Sequence, residues 1–84
     1  MIKWYVYIVR CADDSLYCGI ALDVSQRIWQ HNMGVGAKYT RGRGPVELVY
    51  MDEFEDRSSA SKEEYRIKQL SKKKKLELIE SWKT

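Results

Sequence analysis

Residues 4–31, WYVYIVRCADDSLYCGIALDVSQRIWQH, decide the fold. Trp4 to Val9 is an almost unbroken run of β-branched and aromatic residues, the pattern of a strand covered on both faces. Ala12, Asp13, Asp14 and Ser15 are turn formers, and the strand pattern resumes from Leu16 to Ile20, so a hairpin is the simplest arrangement. Side chains alternate along a strand, which puts Tyr5 and Tyr7 on one side. Tyr17 joins them if the hairpin register has the right parity; a one-residue slip would send it to the other face. Gly19 leaves room beside Tyr17 for a bulge or a close backbone approach. Asp23 with Gln26 three residues on is a capping-box signal, opening a helix that closes near Gly34 and Gly36. Val24 and Ile28 mark its inward stripe. Arg27 and His31, four apart, flank that stripe and lean toward the tyrosines.

Outward from this stretch, the chain carries a glycine-rich loop, a third strand and two helices. The loop, GVGAKYTRGRGP over residues 34–45, brings Lys38, Tyr39, Arg41 and Arg43 together on a flexible backbone. Such a segment suits a phosphate backbone, and it also reads as a solvated connector. A third strand is expected over residues 46–54, with Val46, Leu48, Tyr50 and Phe54 on one face. A helix follows from Asp56 or Ser58 to about Leu70. Within it Glu64 falls in the apolar stripe of Ala60 and Ile67, where an unpaired carboxylate is costly. The structural alternatives are a snorkelling side chain or an ion pair with Arg27. Ser71 caps a last helix with Leu76, Ile79 and Trp82 as its apolar face. Lys72 to Lys75 crowd its first turn, where the helix dipole disfavours cations, as a solvated face or a secondary nucleic-acid contact that would use Lys72 and Lys73.

Composition sets the limits. Eighty-four residues make one domain (1–84) with a single modest core. The net charge of +3 permits a nucleic-acid partner without demanding one. Cys11 and Cys18, the two cysteines, form neither a disulfide framework nor, with the one histidine, a structural zinc site. No apolar run approaches the length of a membrane span, and the amino terminus reads as a strand and not as a signal peptide, so a cytoplasmic protein without membrane contact is expected. There is no nucleophile elbow, phosphate-binding P-loop or paired-carboxylate site. One carboxylate, one guanidinium and phenols able to act on water describe metal-assisted phosphodiester cleavage.

In order, Tyr5-Val6-Tyr7, Tyr17-Cys18-Gly19, Arg27 with His31 four on, and Glu64 resemble the GIY-YIG nuclease superfamily. LYCGIALDVSQRIWQHN, GAKYTRGRGPVELVY and EEYRIKQLSKKKKLELI are closer still to its small stand-alone bacterial, YhbQ-like members. The resemblance covers almost the whole chain. It implies an α+β fold, a small three-stranded antiparallel sheet flanked by about three helices. It also implies an endonuclease acting on DNA in preference to RNA, in repair or on unusual DNA structures. Tyr7, Tyr17, Arg27, His31 and Glu64 would be the catalytic set, with Glu64 the ligand of a single Mg²⁺ or Mn²⁺. Tyr7 would be the general base with His31 taking its proton, Arg27 the phosphate clamp, and Tyr17 an orienting group. Four departures stand out: Tyr5 in place of a glycine, Cys18 within the second tripeptide, Ile20 where one branch carries lysine, and no asparagine downstream of Glu64. Two other readings stay open, a nucleic-acid-binding module with a vestigial site and an adaptor for a protein partner. With so modest a charge, a partner or a second copy of the chain would add DNA affinity.

Overall fold

The computed structural model describes residues 2–83. Its elements run β1 (Trp4–Arg10), β2 (Leu16–Ala21), α1 (Val24–Asn32), a short 3-10 turn (Lys38–Thr40), β3 (Glu47–Phe54), α2 (Arg57–Lys68) and α3 (Lys72–Lys83). The three strands form one antiparallel sheet in the order β2-β1-β3. β1 lies in the centre, which explains its unbroken apolar sequence: Val6, Tyr7, Ile8 and Val9 are each at most 1% exposed. The architecture is the α+β arrangement expected.

The hairpin turn is held by Asp13, whose carboxylate accepts from the Ser15 backbone N–H at 3.1 Å. Asp14 takes a left-handed conformation, φ 67°, which aspartate tolerates better than most residues. The register pairs Val9 with Tyr17, Tyr7 with Gly19 and Tyr5 with Ala21. Tyr17 therefore shares the face of Tyr5 and Tyr7. Helix α1 covers this face through Val24 and Ile28, and its start is fixed where expected, Asp23 accepting from the Gln26 N–H at 3.0 Å.

Helices α2 and α3 cover the opposite face, where Ala60, Ile67 and Ile79 pack against Val6, Ile8 and Cys18. Asp56 caps α2 through the Ser59 N–H, and Ser71 caps α3 through the Lys74 N–H. Such caps typically contribute about 1 kcal/mol each.

Two details of the sequence reading are corrected. Val46, Leu48, Tyr50 and Phe54 do not share a face. Ile8 pairs with Tyr50 but Val9 with Leu48, leaving Val49 as an extra residue in a β-bulge. The parity flips there: Val46, Leu48 and Met51 join the Tyr7 face, while Val49, Tyr50 and Phe54 join the Ile8 face. The physical reason is the run Leu48-Val49-Tyr50-Met51, four apolar residues that strict alternation could not distribute this way; the bulge buries Val49 and Tyr50 together. On α3, Ile79 is buried, but Leu76 is 42% exposed. The inward line is Lys75, Leu78 and Ile79, rotated one step round the helix, while Trp82, also 42% exposed, lies edge-on to Tyr50.

Candidate functional site

On the α1 face the sheet, the helix and the loop meet in a buried hydrogen-bonded chain. His31 is 1% exposed and its Nε2 lies 2.8 Å from the Tyr7 hydroxyl. Its Nδ1 lies 2.7 Å from Thr40 Oγ1. A contact that short holds one proton. The Thr40 hydroxyl donates its own to the Ala37 carbonyl at 2.9 Å, so the shared proton belongs to Nδ1. The Ala37 N–H approaches Nδ1 at 3.4 Å, a longer and weaker contact than the Thr40 bond. Nε2 is left as the acceptor for Tyr7, a tautomer assigned from this network. Burial, and then the positive charge of Arg27, depress the His31 pKa and keep the ring neutral.

Tyr7 is pushed up to about 12 by burial, while the neighbouring Arg27 guanidinium pulls the other way. Arg27 is half-buried and also donates to Gln30 at 2.8 Å. Tyr17 packs edge-on against His31, with centroids 5.4 Å apart, and stacks on Tyr39 at 5.8 Å. Sequence reasoning thus brought together Tyr7, Tyr17, Arg27 and His31. It missed Thr40, which looked like one more residue of a cationic loop.

Two glycines make the chain possible. A Cβ on Gly19 would stand 2.7 Å from the Tyr7 hydroxyl, and one on Gly36 2.5 Å from His31 Nδ1. Asn32, also missed, ties the end of α1 to β3: its side-chain carbonyl accepts from the Val46 N–H at 2.6 Å.

Replacing Thr40 by valine keeps the shape but leaves the His31 Nδ1–H without an acceptor. The expected loss is about 1–3 kcal/mol of stability, largely restored by serine. Urea unfolding measures it, and imidazole ¹⁵N shifts report the tautomer.

Glu64 sits elsewhere. It belongs to α2, on the far side of the sheet, and no ion pair joins it to Arg27. Its side chain is 23% exposed, and its carboxylate pairs with Lys68 at 3.2 Å. It is therefore not the unpaired buried acid that the stripe suggested: the i, i+4 lysine and partial exposure relieve the cost. Its surroundings show in Cys18, whose thiol is pushed up to about 12 by burial and then by Glu64, with Lys68 and Lys75 opposing. The two faces meet at the edge strand β2, where Leu16, Tyr17, Cys18, Tyr39, Lys68 and Lys75 line a cleft of about 270 Å³.

Among the described residues no three His, Cys, Asp or Glu side chains gather to hold a metal. A hard cation such as Mg²⁺ needs no such cage; one carboxylate, waters and substrate phosphates suffice. The partly exposed carboxylate of Glu64 fits that donor set.

The cations of the loop and α3 divide. Lys38 and Arg41 are exposed and make no ion pair among the described residues. Arg43 is committed within the fold, pairing with Asp13 at 2.5 Å and lying 4.5 Å over the Tyr39 ring. Lys72 donates to the Asp14 carbonyl at the hairpin turn, whereas Lys73 borders a hollow formed by Leu76, Glu77 and Glu80 on α3. No helix of the described residues is long and apolar enough to cross a membrane.

The profile of the GIY-YIG catalytic domain matches residues 3–77. A UPF0213 protein of Staphylococcus saprophyticus is 56% identical over 94% of this chain and 96% of its own length. A UPF0213 protein of Haloquadratum walsbyi is 53% identical over 90% of this chain and 85% of its own length. The solution structure of a UPF0213 protein from Bacillus halodurans superposes with a TM-score of 0.61 at 47% identity, covering 94% of this chain and 84% of that one. A second solution structure, from E. faecalis, gives 0.65 at 36% identity, over 96% and 86%. With the tyrosine hairpin and the Arg27–His31 helix in place and the match running over nearly its full length, this chain belongs to the GIY-YIG catalytic domain family, among its small UPF0213 members.

Proposed function

We infer that this protein is a divalent-metal-dependent endonuclease that hydrolyses phosphodiester bonds in DNA. The observation carrying this reading is the Tyr7–His31–Thr40 chain beside the Arg27 guanidinium. The Tyr7 hydroxyl bonds an imidazole placed to take its proton, and the Arg27 cation favours the phenolate that results.

In the proposed reaction, Tyr7 accepts a proton from the attacking water as its own passes to His31 Nε2. With its pKa near 12, Tyr7 cannot act alone at neutral pH. The Nδ1–H bond to Thr40 holds the imidazolium in place. Arg27 binds a non-bridging phosphate oxygen, and Tyr17, half-exposed beside His31, orients the phosphate. A Mg²⁺ or Mn²⁺ ion held by Glu64 would supply charge neutralisation on the phosphate. Tyr39 lines the cleft beside Tyr17, and Lys38, Arg41, Arg43 and Lys72 would serve as contacts for the nucleic-acid backbone, Arg43 beside the Tyr39 ring. Repair or processing of unusual DNA structures is the role such a stand-alone domain suits, with a partner or second copy adding affinity. The test is incubation with nicked, branched and single-stranded DNA in Mg²⁺ or Mn²⁺. Cleavage that stops with EDTA supports the reading; no cleavage of any substrate in either metal counts against it.

One observation favours a second reading, a nucleic-acid-binding module without turnover. Tyr7 and His31 are each only 1% exposed, so attacking water must reach a closely covered phenol. Salt-sensitive DNA binding that Tyr7→Phe leaves unchanged, with no cleavage by the wild type, would select it.

A further inference from the structure

The helical lysines nearest the tyrosines are not the pair that the lysine run suggests. Lys68 and Lys75, from α2 and α3, line the cleft at the β2 edge together with Tyr17 and Tyr39. They are seven apart in sequence and separated by the Ser71 cap, so only the turn between the helices brings them to one place. Lys75 is half-buried and makes no ion pair among the described residues. Among the described residues Lys68 pairs only with Glu64. The adjoining groove carries Lys72, Arg10 and Asp14 beside Leu16 and Leu76. Half-burying an ammonium with no carboxylate partner is unfavourable, and an arriving anion relieves it.

We propose that Lys68 and Lys75 form a phosphate-binding subsite for the nucleic-acid strand, next to the scissile position, in the cleft bounded by Tyr17 and Tyr39. The ligand class is a phosphodiester of the substrate strand. This rests on the endonuclease reading for the identity of that strand. Tyr39 forms the cleft wall rather than a stacking platform, because its ring is already engaged by Tyr17 and Arg43. The strand is thus held through its backbone, without base discrimination at this subsite.

The experiment is a salt titration of binding between the full-length protein and a fluorescent oligonucleotide, in EDTA so that no cleavage intervenes. Lys68→Met with Lys75→Met is compared with Lys62→Met plus Lys83→Met, which removes the same charge from exposed positions outside the cleft. Methionine keeps helix propensity and stem packing, and circular dichroism with thermal unfolding checks each fold. Each phosphate contact contributes about 0.7 to 0.9 to the log–log salt slope. The cleft pair should therefore lower the slope by about 1.4 to 1.8, and affinity in ~0.1 M salt by roughly tenfold. The control pair should change the slope by less than about 0.5. Should Lys75→Met alone unfold the protein, Lys75→Gln replaces it in the pair. Equal losses from both pairs, or none from the cleft pair, overturn the subsite while leaving the endonuclease reading intact. No binding by the wild type at low salt overturns both.

Discussion

Tyr7→Phe is expected to lower DNA cleavage by roughly 100- to 10,000-fold, the range that a positioned acid–base group contributes, while leaving the fold in place. The ring stays, so packing against Val9, Val24 and Ala21 is kept; only the hydroxyl at His31 Nε2 goes. The size of the effect follows from the proton path, since without the phenol the water has no acceptor connected to the imidazole. The pH dependence has a definite sign. His31 accepts only when neutral, and its folded pKa lies below the ordinary 6.5. Activity should rise with pH through a limb below 6.5 and flatten above it. Stability follows the same group. Because the folded pKa is depressed, the unfolded chain binds the proton more readily; stability present above 6.5 is lost as pH falls through the folded pKa. Rate profiles and melting temperatures between pH 5 and 8 check both. A cleavage rate that Tyr7→Phe leaves within twofold would remove the phenol from the chemistry.

The second large effect is on stability. Gly36→Ala places a methyl carbon 2.5 Å from His31 Nδ1 and 2.9 Å from the His31 Cα. The second contact is with backbone, so no rotamer change relieves it. Either the loop moves away and the Thr40 bond breaks, or α1 shifts against the sheet. Overpacking of this kind costs about 1–3 kcal/mol, and an orphaned buried imidazole N–H adds about 1–3 more. In a domain this small each kcal/mol lowers the melting temperature by about 4–8 °C, so a fall of at least ~8 °C is expected. Gly34→Ala is a different case, with open space around it and only a φ of +78° to strain. It should cost ~1 kcal/mol, since a single αL residue with a side chain is tolerated. Calorimetry on both variants separates steric crowding from backbone strain.

What was legible in the sequence was local. The run Val6-Tyr7-Ile8-Val9 announced a central strand because both its faces are covered, and Asp23, Asp56 and Ser71 announced helix starts because their side chains act within three residues. The shared face of Tyr7, Tyr17 and His31 was also readable from periodicity, given the hairpin parity. The remainder depended on tertiary approach. Nothing in GVGAKYTRGRGP marks Thr40 as the residue that reaches His31, since that meeting requires the loop to fold back across Gly36. The bulge at Val49 is a compromise among four consecutive apolar residues, with no turn former to signal it. The lysine run drew attention to Lys72 and Lys73, but the turn between α2 and α3 aims Lys68 and Lys75 at the cleft instead. Glu64 stood out as a misfit for a reason that the fold partly dissolves, because Lys68 one turn on is its partner.

The central claim is that groups on two sides of the sheet, Tyr7 with His31 on one and Glu64 on the other, act on one phosphodiester across the β2 edge. The most direct measurement compares wild type, Tyr7→Phe and Glu64→Ala on the same nicked, branched and single-stranded DNA panel in Mg²⁺ or Mn²⁺. The account predicts cleavage by the wild type and loss of at least ~100-fold in each variant, with unfolding curves like the wild type's. Wild-type protein that cuts no substrate, or variants that cut as well as it does, would contradict it.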